Sequence, residues 1–141
     1  YHLRQKNVLT IDAQKKYFDT KISKLFDLEK PDQILFSFLK NNKGIGYGGL
    51  VHINWFDLNA EIWFLMNTKL EKNFFFFHWK AFLNLLEIVA FNELNLHKIY
   101  TYAFDLRPKL YTTVESLGYV KEAELKEHFK NKNSIGAKVR M

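Results

Sequence analysis

Between Gly49 and Pro108 the chain carries neither glycine nor proline, and within that run its apolar spacing changes twice. AEIWFLM (60–66) follows the turn residues FDLN (56–59), and is short and apolar, as a strand is. From about Phe75 to Leu94 the apolar positions fall at helical intervals: Phe75, Trp79, Phe82, Leu86, Val89 and Ala90. HKIYTYAF (97–104) then returns to the β-branched and aromatic residues that strands favour. A strand, a long helix and a second strand of the same sheet leave the two strands as parallel neighbours. The helix is apolar around much of its circumference, which predicts that it lies on the sheet.

The flanking segments extend this unit. QILFSFLK (33–40), the turn NNKG (41–44) and the alternating GIGYGGLVHINW (44–55) read as a hairpin, so three strands form an antiparallel meander before the helix. Ile45, Tyr47, Val51, Ile53 and Trp55 are expected on one face of the second strand. Gly46, Gly48 and Gly49 point to a bulge or a close backbone approach. Upstream, residues 1–9 read as a loop, Thr10 as a helix cap, and 11–26 as a helix stopped by Pro31 and Asp32. Downstream, Asp105 caps a helix that Pro108 opens and Gly118 ends. YVKEAELKEHF (119–129) and SIGAKVRM (134–141) read as strands. The expectation is one domain over residues 1–141 of α/β (α+β) class, an antiparallel meander followed by β-α-β-α-β in a mixed central sheet with helices on both faces.

Composition narrows the functions. Hydrophobic residues make up 48% and aromatics 17%, enough to fill one core. EKNFFFFHWK (71–80) opens the longest apolar stretch, but His78, Lys80, Asn84 and Glu87 interrupt it, so a core helix is expected there and no membrane span. There is no cysteine, hence no thiolate nucleophile, and a reducing cytoplasmic setting is the default. No histidine and carboxylate spacing suits a metal, and none is expected. The net charge of +6 suits an anionic ligand such as coenzyme A, or serves solubility alone. No basic stripe or nucleic-acid motif accompanies it, so nucleic acid is not expected as a partner.

The run GYGGLVHINW…NAEIWFLM…AFNELNLHKIYTYAFDLRPKLYTTVESLGYVKEAEL resembles the GNAT superfamily of acetyl-CoA-dependent N-acetyltransferases, in particular the ribosomal-protein and amino-sugar branch. AEI (60–62), AFNELNLHKI (90–99) and ESLGYVKEAELKEH (115–128) carry it most strongly, over about residues 10–130. In that family a first strand and helix precede the segment matching 11–26, so this chain looks to lack them. The edge that their absence leaves favours a homodimer. The resemblance implies direct transfer of an acetyl group from acetyl-CoA to a primary amine, that of an amino-sugar nucleotide or of a protein or peptide. The thioester would lie where AEIWFLM and KIYTYAF splay apart.

Site residues follow from the same resemblance. Glu61 matches the family's acidic residue and would be the general base; otherwise it is a sheet-face carboxylate paired with a lysine. Tyr111 would be the general acid, although the family's tyrosine falls at Val114, one helical turn later. Leu65 and Met66 on the splayed strand, with Lys69, Lys72 and Arg107, would contact the coenzyme. The family's pyrophosphate loop falls within residues 71–79, which contain no glycine, and FFFFHWK reads first as the start of a buried helix, whether or not it cradles phosphate. His52 and His128 would face the amine, or serve as structural histidines, as His78 and His97 do. Tyr47, Trp55, Tyr100 and Tyr102 form an aromatic wall. The rival reading is a degenerate GNAT-like domain without catalysis, acting as a ligand-binding or assembly module.

Overall fold

The computed structural model describes residues 10–104, 108–131 and 134–140. Thr10 caps the first helix, its Oγ1 accepting from the Ala13 N–H at 3.1 Å, with Asp12 in the first turn. Helix α1 (Ile11–Tyr17) passes through a π-helical segment (Phe18–Ile22) into α2 (Ser23–Leu25). The Thr20 and Ser23 hydroxyls each donate to the carbonyl four residues back, Lys16 and Asp19, both at 2.6 Å. Such bonds compete with the helical ladder where it loosens.

Strands β1 (Ile34–Lys40), β2 (Lys43–Asn54) and β3 (Asn59–Met66) form the expected antiparallel meander. Asn41 and Asn42 both have positive φ, 49° and 60°. A two-residue hairpin matching the strand twist requires this of its central residues, and asparagine tolerates it. Gly48 and Gly49 sit where β1, β2 and β3 press together. A Cβ on Gly48 would run into the Trp63 carbonyl oxygen and Phe64 Cα, and one on Gly49 into the Ile34 carbonyl. Gly48→Ala is therefore expected to cost about 1–3 kcal/mol as an overpacking change, read as a lowered midpoint in urea unfolding. An unchanged midpoint would mean the strands part freely.

The face pattern of β2 differs from the sequence reading. His52 has φ 51°, and the β2–β3 register shifts between Val51 and Asn54. This bulge turns Ile53 and Trp55 toward the core, whereas Tyr47 packs edge-on against Trp63 and Phe18 on the opposite face.

Helix α3 (Thr68–Glu87) begins seven residues earlier than its apolar spacing suggests, because Asn67 caps it, the side chain accepting from the Lys69 N–H at 3.0 Å. It runs into a π-helical segment, Ile88–Glu93. Trp79, Phe82, Leu83, Leu86 and Ala90 are buried against Leu50, Ile62, Phe64 and Met66 of the sheet. From Phe74 to Glu93 this helical stretch is long and apolar enough to cross a membrane by length and composition, with mean hydropathy 1.4, but its inner side is the core itself. β4 (Lys98–Tyr100) returns parallel to β3, as expected. Helix α4 (Pro108–Ser116) adds Leu110 and Val114 to the same core and ends at Gly118, φ 94°.

KIYTYAF is not one strand. Beyond β4, the chain joins a second, antiparallel sheet as β5 (Ala103–Phe104), in the order β5-β7-β6 with β6 (Glu124–Asn131) and β7 (Ser134–Arg140). Residues 119–123, expected to open the strand over 119–129, belong to no strand.

His78 is 2% exposed, ringed by Phe38, Phe74 and Phe77, and its Nε2 has no hydrogen-bond partner. Burial first, and the charge of Lys40 second, hold its pKa below the ordinary imidazole value of 6.5. The unfolded chain then takes up this proton at a higher pH than the folded one, so stability falls as pH drops through 6.5. The thermal midpoint should be lower at acid pH than at neutral pH, and His78→Leu should shrink that difference. An equal pH dependence in the variant would assign it elsewhere.

Candidate active site

The β3–β4 ladder has three pairs, Asn59↔Lys98, Ala60↔Ile99 and Glu61↔Tyr100, and stops there. The Thr101 hydroxyl still reaches the Ile62 carbonyl at 3.3 Å. Past that point β3 continues to Met66 while the other chain leaves for the second sheet. The two parallel strands thus splay, and Glu61 stands at the vertex.

Side chains alternate across a strand. Ala60, Ile62, Phe64 and Met66 face the core, so Glu61, Trp63 and Leu65 face the side covered by α1. There Trp63 packs on Tyr47 with ring centroids 5.2 Å apart, and Gln14 Nε2 donates to the Tyr47 hydroxyl at 3.3 Å. Glu61 is 4% exposed and lies directly opposite Val51. The adjoining bulge brings in His52, whose Nδ1 lies 2.8 Å from Glu61 Oε2. A carboxylate only accepts, so the imidazole donates from Nδ1 and keeps its Nε2 lone pair free of that bond. The His52 side chain is 68% exposed. One end of this pair is dry and the other wet, so the Nδ1–H fixes the covered carboxylate while the rest of the ring meets solvent.

Two of the residues singled out in the sequence, Glu61 and His52, are therefore brought together. Nothing in sequence spacing announces their contact, because a non-glycine bulge carries no compositional mark. Tyr111 is placed apart from them. It lies on α4 and, with Tyr100, Tyr102 and the buried Val114, lines a cavity of about 630 Å³ whose walls do not include Glu61. The backbone of His128 lies in β6; its side chain falls outside the described residues, as do Asp105 and Arg107.

At the coenzyme end, Leu65 is 36% exposed on the Glu61 face. The Met66 side chain is buried in the core, so only its main chain could meet a ligand. Residues 71–79, where the family's pyrophosphate loop would fall, are helical, as the reading of FFFFHWK as a helix start expects, and are interrupted by a kink at Phe74 with φ −123° and ψ 16°. Lys69 is exposed in the first turn, and the side chain of Lys72 lies outside the described residues. Lys40, not anticipated from the sequence, places its Nζ 5.7 Å from the Phe74 ring centroid, beside the kink. A β3 edge open past Glu61, with Lys69 exposed in the first turn of the helix that follows, fits a thioester carrying an anionic tail. Among the described residues no group of three His, Cys, Asp or Glu could hold a metal ion.

The profile of the family described as acetyltransferase (GNAT) domain matches residues 3–135. Among solved structures, a spermidine N-acetyltransferase from Vibrio cholerae in complex with CoA and spermine superposes with a TM-score of 0.79 at 23% identity, covering 96% of this chain and 75% of that one. The spermidine/spermine N-acetyltransferase SpeG from Vibrio cholerae in complex with manganese ions gives a TM-score of 0.77 at 22% identity, covering 98% and 79%. Likeness at this level of identity shows the fold. No curated protein matches the sequence.

Proposed function

The chain belongs to the acetyltransferase (GNAT) domain family, with acetyl-CoA as the acyl donor, and from that premise we propose that it acetylates a primary amine with Glu61 as general base. The acceptor class we propose is an amino-sugar nucleotide or a protein or peptide amine. The observation that carries the proton-transfer role is the buried Glu61 carboxylate at the vertex of the splayed strands, bonded to an exposed His52 at 2.8 Å.

The chemistry balances without a further reactant. The amine nitrogen attacks the acetyl carbonyl carbon, the carbon–sulfur bond breaks, and coenzyme A leaves as thiolate and takes up a proton. The proton lost by the amine goes to Glu61, directly or through one water, and leaves with solvent after product departs, while the His52 Nδ1–H holds the carboxylate in place. The open main chain of β3 supplies N–H groups for the developing oxyanion. Holding donor and amine in one cleft contributes by orientation.

The test is a panel of amines incubated with acetyl-CoA, with products read by mass spectrometry. It includes an amino-sugar nucleotide, a peptide with a free N-terminus and spermidine, the last because structural relatives are named for it. Acetylation of one of the first two supports the acceptor class proposed, and acetylation of spermidine alone would replace it with a polyamine. No product from any amine, with acetyl-CoA bound, would favour the non-catalytic module. His52→Gln should lower turnover by less than Glu61→Gln and alter the pH profile, whereas an unchanged profile would leave His52 a purely structural partner.

A further inference from the structure

Helix α3 turns one side to the sheet and the other outward, and the outward side is apolar. Phe77, Ala81, Leu85 and Ile88 fall within about 40° of one line along the helix. Phe74 carries that line past the kink. Phe74 is 51% exposed, Phe77 66%, Leu85 55% and Ile88 51%. A helix resting on a sheet usually presents polar residues to water on this side. Single exposed apolar side chains are ordinary, but a run of them over about four turns is not. Mean hydropathy reaches 1.4 from Phe74 to Glu93, yet only 33% of the most apolar stretch is buried.

The spacing along the run is symmetric. Phe77 and Leu85 lie four residues to either side of Ala81, and Phe74 and Ile88 lie seven. In a two-fold interface the same patch serves both copies, so it must be complementary to itself. Where a helix crosses its own copy antiparallel, a residue before the crossing meets the one equally far beyond it. Centred on Ala81, Phe77 then meets the partner's Leu85, and Phe74 meets the partner's Ile88. Alanine stands at the crossing itself, where a small side chain lets two helix axes approach to about 8 Å.

The area is also of the right size. At about 150–250 Å² for a phenylalanine side chain, the four exposed fractions leave roughly 400 Å² of apolar surface on each chain. Two copies would remove roughly 800 Å² from water, close to the apolar share of a standard interface of about 1,600 Å². Lys80 and Glu87 border the stripe with one charge of each sign. A helix lying on an anionic bilayer is bordered by lysines and arginines instead.

We propose that the outward face of α3 is an interface with a second copy of this chain, the two α3 helices crossing antiparallel at Ala81. This surface is separate from the β1 edge and lies across the sheet from Glu61, so the proposal does not rest on the acetyl-transfer reading.

Sedimentation velocity of the full chain at about 1 µM and about 100 µM tests it. A shift from monomer toward dimer across that range is expected. Phe77→Glu and Leu85→Lys should each stay monomeric at the higher concentration, with circular dichroism unchanged because both side chains are exposed. An equal mixture of the two variants should recover the dimer, since the introduced charges face each other in the antiparallel register. A wild-type chain that is monomeric at the higher concentration would overturn the proposal. So would dimers that survive both substitutions, which would place the contact elsewhere. A mixture that stays monomeric would overturn the antiparallel crossing. Binding of the wild-type chain, but of neither variant, to phosphatidylcholine–phosphatidylglycerol vesicles, with no dimer in solution, would give the face to a bilayer and overturn the second copy.

Discussion

Glu61→Gln should lower turnover by about 10²–10⁴ while leaving acetyl-CoA affinity nearly unchanged, the usual share of a positioned general base. Glutamine keeps the side-chain shape and can still accept from His52 Nδ1, so the bulge has no reason to move. What it cannot do is take a proton. The separation of effects is the informative part. Glu61 lies at the vertex of the splay, on the face opposite the α3 core, and is bonded to His52. A loss of coenzyme binding equal to the loss of turnover would mean that Glu61 holds the strands rather than the proton. Unchanged turnover would remove it from the reaction.

Phe82→Ala should destabilise the fold by about 3–5 kcal/mol, through lost transfer energy and the cavity left behind. Phe82 is 2% exposed and lies at the centre of an aromatic cluster. Its ring stacks on Phe64 with centroids 4.1 Å apart and meets Phe38 edge-on at 5.8 Å. Phe64 is also, with Trp63, one of the two residues that Gly48 approaches closely. Removing the ring leaves the sheet and α3 without their shared contact, and for a domain of this size the thermal midpoint should fall by roughly 10 °C. A drop of only a degree or two would show that Trp79 and Leu83 close over the gap.

The β-α-β unit was legible because its signal is periodicity. The short apolar run of β3, helical spacing through Trp79, Phe82 and Leu86, and β-branched residues at Ile99 and Thr101 each follow from which face must be buried. The hairpin was legible from two adjacent asparagines. The start of α3 was not, because its first two turns, TKLEKN, are largely polar and make little periodic pattern; Asn67 as a cap was the available clue. The bulge at His52 was not legible either. It reverses the faces of Ile53 and Trp55, and it depends on the pairing of β2 with β3 rather than on any local preference. The break after Tyr100 likewise depends on which strand each segment meets, β3 before it and β7 after it.

In the site, the acid and the histidine were both identifiable by type, but their contact was not. Glu61 stands in AEI, where the family resemblance puts an acidic residue, and His52 is one of two histidines that the resemblance places toward the amine. The 2.8 Å bond between them is a consequence of the bulge. Tyr111 shows the converse. Its helix was legible, but its place in the cavity beside Tyr100 and Tyr102 depends on how α4 lies over the end of α3.

The most direct test is calorimetric titration of the folded chain with acetyl-CoA, with dephospho-CoA as the comparison. The open β3 edge, with Lys69 in the first turn of a helix start that lacks glycine, is expected to bind acetyl-CoA at about micromolar affinity. Dephospho-CoA, which keeps the pyrophosphate but lacks the 3′-phosphate, should bind more weakly where a lysine meets that 3′-phosphate. No detectable heat from acetyl-CoA, on a chain that melts cooperatively, would contradict the assignment of the splayed strands as a working acetyl-transfer site.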